Sequence, residues 1–468
     1  MLHVKHGHKV TMYKIWKAKQ KAIARIYKNF DKSYMKLPQF LVALNDANPN
    51  TVTLLNCDPR VPRTCIFNFV FWAFGPCIRG FRHCRPVITI DATHLYGKYK
   101  GKLLIAMVTN GNNEVYPLTF TVVESESMET WGWFLACLLT YVTDQTNMCI
   151  ISNRHCGIKS CFDDITRGYL QAPLTHHRYC LCHLVSNVNT RFNSLALKNL
   201  VGKAATTNQV RKFENTMDLI KNVNLAVYNY IKAEDKEKWT FAHDHGHRYG
   251  AMTTNLSKCF NGVLKRACSL PIITMVKFKF YKVNWYFDDH CNKTLEQMEE
   301  GQEWCKYAYD MFEANQEKAK LHIVKRMSMQ QRLYTVETQF NLLATGGGDH
   351  THKVDLIEMM YTCRKWEACK IPCSHLIAVC AKYNHNATEF MDPFYRVSKR
   401  YHSYEPIFQP LIDRLEWPDP EERRTVMPNL QLIQEKGWPK STIICNEMDE
   451  HDRELPTSLW IKNGPRGA

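Results

Sequence analysis

The chain has 468 residues, 45% of them hydrophobic and 23% charged, which excludes wholesale disorder and allows two to four compact units. Its 61 Lys and Arg against 45 Asp and Glu leave a formal charge of +16, a field that attracts polyanions, nucleic acid foremost. The longest apolar stretch, Trp131 to Val142, falls short of the ~20 residues of a membrane span, the basic opening has no secretory core, and 19 cysteines without an export signal read as reduced thiols and metal ligands.

Residues 10–56 are expected to be helical. Tyr13, Trp16, Ala18, Ala22, Ile26 and Tyr27 recur every three to four places with Lys or Arg between them. Leu37, Phe40, Leu41 and Leu44 follow, until Asn48-Pro49-Asn50 breaks the pattern. The basic side of this segment is either a solvated face or a phosphate contact. Strands are predicted at Val87–Ile90, Leu103–Val108 and Val115–Val123, tightly enough linked to form a meander through a turn at Asn110–Asn113. A helix follows over about Ser127 to Thr143, burying Trp131, Phe134, Leu135 and Leu138, then a strand at Met148–Ser152 and another helix. This order belongs to an RNase H-like sheet, and parts of it recur in many α/β proteins. Residues 190–270 read as mainly helical, 284–335 as rich in Lys and Glu, and Gly346–Gly348 as a break before a Cys/His-containing segment at 354–382. Beyond 405 the composition turns to Pro and charge, so the tail is expected to be an extended arm. The expected partition is an N-terminal helical segment (1–62), an α/β domain with a mixed-sheet core and a large helical part (64–282), a helical linker (284–345), a small Cys/His module (350–385) and an extended tail (386–468).

Several motifs carry a resemblance. The run Cys84-Arg-Pro-Val-Ile-Thr-Ile-Asp-Ala-Thr-His-Leu-Tyr-Gly-Lys-Tyr-Lys-Gly-Lys102 is followed by Val115-Tyr-Pro-Leu118, Thr130-Trp-Gly-Trp-Phe134 and Ile150-Ile-Ser-Asn-Arg-His-Cys-Gly157. Next come His177-Arg-Tyr-Cys-Leu-Cys-His183, Tyr249-Gly-Ala-Met-Thr-Thr-Asn255, Phe260-Asn-Gly262, and Trp366 with Ile371-Pro-Cys-Ser-His375. In this order they resemble the plant Mutator-like (MULE) transposases with a SWIM-type zinc finger, over roughly residues 20–445. The resemblance implies an RNase H-like core followed by a SWIM module, with DNA as partner and the nucleus as compartment.

It also implies a catalytic centre in which three acids hold two divalent ions, usually Mg²⁺, for strand cleavage and joining. Hard cations need anionic oxygen ligands, and two ions side by side need several negative charges to offset their repulsion. Asp91 matches the first acid. The second position holds Asn153, a neutral amide, and the third aligns with Lys258, a cation. One retained Asp cannot meet the demand. Asp163, Asp164, Glu214 and Asp244 are the acids near enough in sequence to substitute, Glu214 foremost.

Further roles come from the same resemblance. Cys180 and His183 match the family's Cys-x-x-His pair, either half of a zinc site or a brace for the fold. Cys363, Cys373 and His375 match three ligands of the SWIM pattern, Tyr361 stands where the first Cys belongs, and Cys369 is the candidate fourth donor to zinc. Lys98, Lys100 and Lys102 alternate with Tyr99 and Gly101, suiting phosphate contact without base readout or a solvated strand end. Lys436 to Thr442 resembles a Gly-Arg-Pro-Lys-Ser stretch of the family, with Trp438 in place of the Arg that would enter a minor groove. Nothing before residue 20 reads as a zinc-bearing recognition module, so salt-sensitive, loosely specific DNA binding is expected. The function implied is a transposase-derived, zinc- and DNA-binding protein without catalysis. The alternatives are a residual nuclease using a substitute acid, and a module for protein contacts through the SWIM finger.

Overall fold

The computed structural model describes residues 29–61, 63–254, 267–338, 350–420 and 424–433, together with positions 18, 21, 22 and 25. Its main sheet holds β1 (Val52–Val61), β2 (Thr64–Ala73), β3 (Val87–His94), β4 (Lys102–Thr109), β5 (Val115–Val123), β6 (Met148–Ser152) and β7 (Thr175–Tyr179) in the spatial order β1-β2-β5-β4-β3-β6-β7. β3, β4 and β5 form an antiparallel meander, while β6 lies parallel to β3 and β7 parallel to β6. This is the mixed RNase H-like sheet that the sequence suggests.

Every residue of β5 is buried. Helices cover both faces of the sheet, so the strand has no solvent side on which polar alternation could survive. The helix Met128–Tyr141 begins with a capping box between Ser127 and Thr130 and buries Trp131, Phe134, Leu135 and Leu138, the i, i+3, i+4, i+7 stripe of one face. Trp72, Trp131, Phe71, Phe74 and Phe120 are fully enclosed in the resulting core.

After β7, the helices Leu181–Phe192, Leu195–Thr206, Val210–Val223 and Leu225–Lys232 build a separate small core around Phe213 and Trp239. A third core lies further along the chain. The helix Lys306–Ala319 packs with a second sheet of order β11-β10-β9-β8 and with the helix Ser374–Lys382. Its strands are β8 (His322–Ser328), β9 (Leu333–Thr338), β10 (His350–Asp355) and β11 (Met360–Tyr361).

Four expectations change. The N-terminal region is not helical throughout: helices cover Phe30–Met35 and Leu37–Ala47, and residues 52–61 form β1 instead. Because β1 and β2 make one hairpin, the boundary expected near 62–64 falls at its turn. The boundary near 282–284 falls inside the 28-residue helix Ile272–Glu299, and β8 and β9 of the expected linker pair with the Cys/His module. The tail, finally, folds back. Phe408 packs edge-on against Phe74, Phe280 and Phe287, and β12 (Thr425–Met427) pairs in parallel with β2. Gly80 permits this return, because a Cβ there would stand 2.0 Å from the Ser403 carbonyl oxygen. Composition in the tail hid these contacts, since a few well-spaced aromatics suffice to anchor an otherwise polar strap.

The helix Ile272–Glu299 carries one costly residue. Lys279 is fully buried, its Nζ has no hydrogen-bond partner among the described residues, and it lies 5.0 Å from the centre of the Phe120 ring. Burial pushes its pKa down from 10.5 to about 8. The unfolded chain therefore binds more protons between those two values, and stability rises as the pH climbs through that window. Lys279→Met is expected to raise stability at pH 7 by up to about 3 kcal/mol and to flatten this slope. Urea midpoints at pH 7 and pH 10 measure both, and an unchanged slope in the variant contradicts the assignment.

Candidate functional site

β3 ends the meander's central path and carries Asp91, which is 7% exposed. The parallel register runs to Thr89 opposite Ile151, and Asp91 and Asn153 each follow two residues further along, toward the C-terminal ends of the two strands. This placement follows from the fold: two neighbouring parallel strands deliver their C-terminal ends to one edge. Asn153 is already engaged there, its Oδ1 accepting the His155 backbone N–H at 3.0 Å. The amide thus caps the turn into the helix Cys156–Asp163, and His155 Nδ1 accepts from Gly157 N–H to complete it. Lys258 lies outside the described residues.

An acid that sequence reasoning missed approaches this end. Glu126, in the turn after β5, stands 2.8 Å from Lys102 Nζ and 4.0 Å from His155 Nε2, with 13% of its side chain exposed. Its sequence signal was weak, because nothing local ties a loop glutamate to strands 30 residues on either side. The four substitute acids considered from sequence are each tied to a base. Asp163 pairs with Lys238, Asp164 with Arg167, Glu214 with Lys236, and Asp244 with both Arg178 and Arg248. Asp91 and Asn153 do not fit a two-ion magnesium centre, since they offer one carboxylate where several negative charges are required.

The lysine trio does not form an extended row. The chain bends at Gly97–Lys98, Tyr99 is buried, and the charges are divided. Lys98 is bound to Asp31 at 2.7 Å, Lys102 to Glu126, and Lys100 is exposed.

Cys180 follows β7 and accepts hydrogen bonds from the Thr254 N–H at 3.2 Å and the Thr254 hydroxyl at 3.3 Å. Cys182, His183 and these donors hold its thiol well below the ordinary cysteine pKa. Among the described residues no third donor joins Cys180 and His183 to complete a metal-sized group.

Such a group forms elsewhere. Cys363, Cys373 and His375, all buried, bring their ligand atoms within 4.8 Å of one another. The turn after β11 delivers Cys363, and the helix Ser374–Lys382 delivers the other two, Cys373 as its N-cap residue and His375 from its first turn. The two sulfurs are 3.5 Å apart, and Cys373 Sγ is 3.9 Å from His375 Nδ1. These spacings suit the edges of a tetrahedron about an ion with ~2.3 Å sulfur bonds, so the donor set fits zinc. Cys363 donates to Cys373, which lowers the Cys373 pKa and makes it the readier thiolate.

Cys369, expected as the fourth donor, is turned away. A Cβ on Gly250 would meet its sulfur at 3.3 Å, so the thiol faces the α/β domain. The cause is the short helix Lys365–Cys369, whose Trp366 bonds Phe390 O and whose Cys369 carbonyl accepts from Tyr395. Cys380 stays outside the group as well, in agreement with its helical offset from His375. Two histidines that sequence reasoning passed over flank the cluster instead. The His352 ring centre is 4.2 Å and the His322 ring centre 4.9 Å from that of His375. Burial and the nearby His375 push both pKa values down to about 4.

Comparisons with known proteins agree with this geometry. Residues 87–187 match the MULE transposase domain, which holds Asp91, Asn153 and Cys180, and residues 362–384 match the SWIM zinc finger, which holds the Cys-Cys-His group. Over 178 residues, 36% of this chain, the sequence is 22% identical to Protein FAR1-RELATED SEQUENCE 6 of Arabidopsis thaliana. That match spans 24% of the relative's own length.

Proposed function

From the premise that one chain joins a MULE transposase domain to a SWIM zinc finger, we propose that it is a transposase-derived nuclear protein that binds zinc and DNA and no longer cleaves it. One observation carries the reading. Near Asp91, the second acidic position is an asparagine whose oxygen is committed to the turn that leads into the next helix. An amide brings no charge, and the lysine at the third position would repel a divalent ion rather than hold it. The excess of +16 supports DNA as the partner, and exposed Lys100, Lys203, Arg211 and Lys212 are available for phosphate contact.

A residual nuclease is the second reading, favoured by Glu126 near His155. Its charge is already matched by Lys102 at 2.8 Å, which weighs against ion capture. A third reading, protein contact through the SWIM unit, draws on exposed Met327, Met329, Ile357 and Met360 around the second sheet.

One set of assays on labelled duplex separates these. The protein is expected neither to nick nor to join DNA in Mg²⁺ or Mn²⁺, with Asp91→Ala changing nothing. The double substitution Asn153→Asp with Lys258→Glu is expected to recover divalent-ion binding by calorimetry. Log affinity for DNA should fall steeply with log salt. Strand transfer that depends on Asp91 and Glu126 establishes the nuclease reading, and a flat salt dependence favours the protein-contact reading.

A further inference from the structure

SWIM-type coordination needs four donors, and among the described residues three lie within reach of one another, while Tyr361 stands where the first cysteine belongs. Tyr361 cannot replace it, because its hydroxyl donates to the Met359 sulfur at 3.5 Å. We propose that His352 of β10 is the fourth zinc ligand, so that the site is Cys₂His₂ with one histidine contributed across the sheet.

His352 stands against the cluster itself. Its ring centre lies 4.2 Å from that of His375, one of the three grouped donors. β10 pairs with β11 through Val354 opposite Tyr361 and Asp355 opposite Met360, and Thr362 N–H donates to Lys353 O at 3.1 Å, so β10 runs alongside the turn that presents Cys363. The residue is 9% exposed, removed from bulk water as the three donors are.

Its hydrogen bonding selects the ligating atom. His352 Nδ1 lies 3.3 Å from the Thr362 hydroxyl, and a ring that donates there from Nδ1 keeps its lone pair on Nε2. Metal-bound imidazoles are oriented by such a bond from the other ring nitrogen. The His352 nitrogens stand outside the 4.8 Å group, so capture of the ion includes a swing of this ring toward His375. His322 is the competing histidine. It reaches the cluster from β8, two strands from β10, and its Nε2 is engaged with Ser374 Oγ at 2.9 Å.

The inference rests on the zinc reading, and one experiment tells the two apart. Zinc content and X-ray absorption at the zinc edge are measured on the full chain and on His352→Cys, His352→Ala and His322→Cys. Wild type is expected to hold one zinc with two sulfur and two nitrogen neighbours. His352→Cys should raise the sulfur count to three, a ligand swap that keeps the fold closed by metal. His352→Ala should weaken zinc by roughly 100-fold or more against a competing chelator, as loss of a direct ligand implies. His322→Cys should leave the sulfur count at two. Zinc bound with two sulfurs in both cysteine variants overturns the assignment of His352 and leaves zinc binding intact, as does a third sulfur from His322→Cys alone. A wild-type chain without zinc overturns both.

Discussion

Stripping zinc with a chelator, or replacing Cys373 by serine, is expected to unfold the unit between Trp304 and Tyr395 while the main sheet persists. Structural zinc in small fingers binds with an apparent free energy of roughly 10–16 kcal/mol, and that binding energy is folding energy. A whole domain keeps only about 5–15 kcal/mol of net stability, so even half of the metal's contribution decides the state of this unit. The reason is visible in its core. Cys363, Cys373 and His375 lie among Val354, Ile371, Leu376 and Val379, and β11 is a strand of two residues. Such a short strand cannot hold the loop in place by its own ladder. Limited proteolysis measures the outcome: cuts should concentrate within residues 304–395 in the chelated protein and vanish when zinc is returned. An identical digest with and without zinc contradicts the expectation.

The second large effect is expected at Asp244. This carboxylate is 1% exposed and stands 2.8 Å from Arg178 Nε and 3.2 Å from Arg248 Nε, both guanidiniums being buried. Its second oxygen accepts the Arg248 backbone N–H at 2.9 Å. Arg248 in turn donates to the carbonyls of Tyr179 and Lys238, so the triad fastens β7 to the helical unit. Removing the anion leaves two buried cations without a counter-charge, a change that costs about 3–5 kcal/mol. Asp244→Ala should lose that much in urea denaturation, whereas Glu214→Ala, at an exposed pair with Lys236, should lose under about 1 kcal/mol. Equal losses in the two variants would show that burial of the triad is not what matters. Asp244 read from sequence as a candidate substitute acid, and its burial between two arginines gives it a structural task instead.

Much of the centre of the molecule was legible because its signals are local. The apolar runs at 87–90, 103–108 and 115–123 could bury both faces only inside a covered sheet, and the turn at Asn110 set their meander. The pattern of Trp131, Phe134, Leu135 and Leu138 marked a helix one face wide. Asp91, Cys363, Cys373 and His375 stood out because their motifs resemble those of the family. What sequence reasoning misread depends on distant partners. Val52–Val61 reads as a continuation of a helix until β2 is available to pair with it, and the tail reads as an arm until Phe408 meets Phe74, Phe280 and Phe287.

By itself, then, the amino-acid order determined the strand sequence of the α/β core, a property of residue type and short spacing. Through its resemblance to a family it also singled out Asp91, Asn153 and Lys258 as the acidic positions to inspect, and Cys363, Cys373 and His375 as the donors to bring together. Only the tertiary structure decided that Lys98 and Lys102 are paired with Asp31 and Glu126, that Cys369 faces away from the cluster, and that His352 packs against His375. Those outcomes hang on strand register and on side chains far apart along the chain, and a register is chosen by the whole packed sheet rather than by any segment within it.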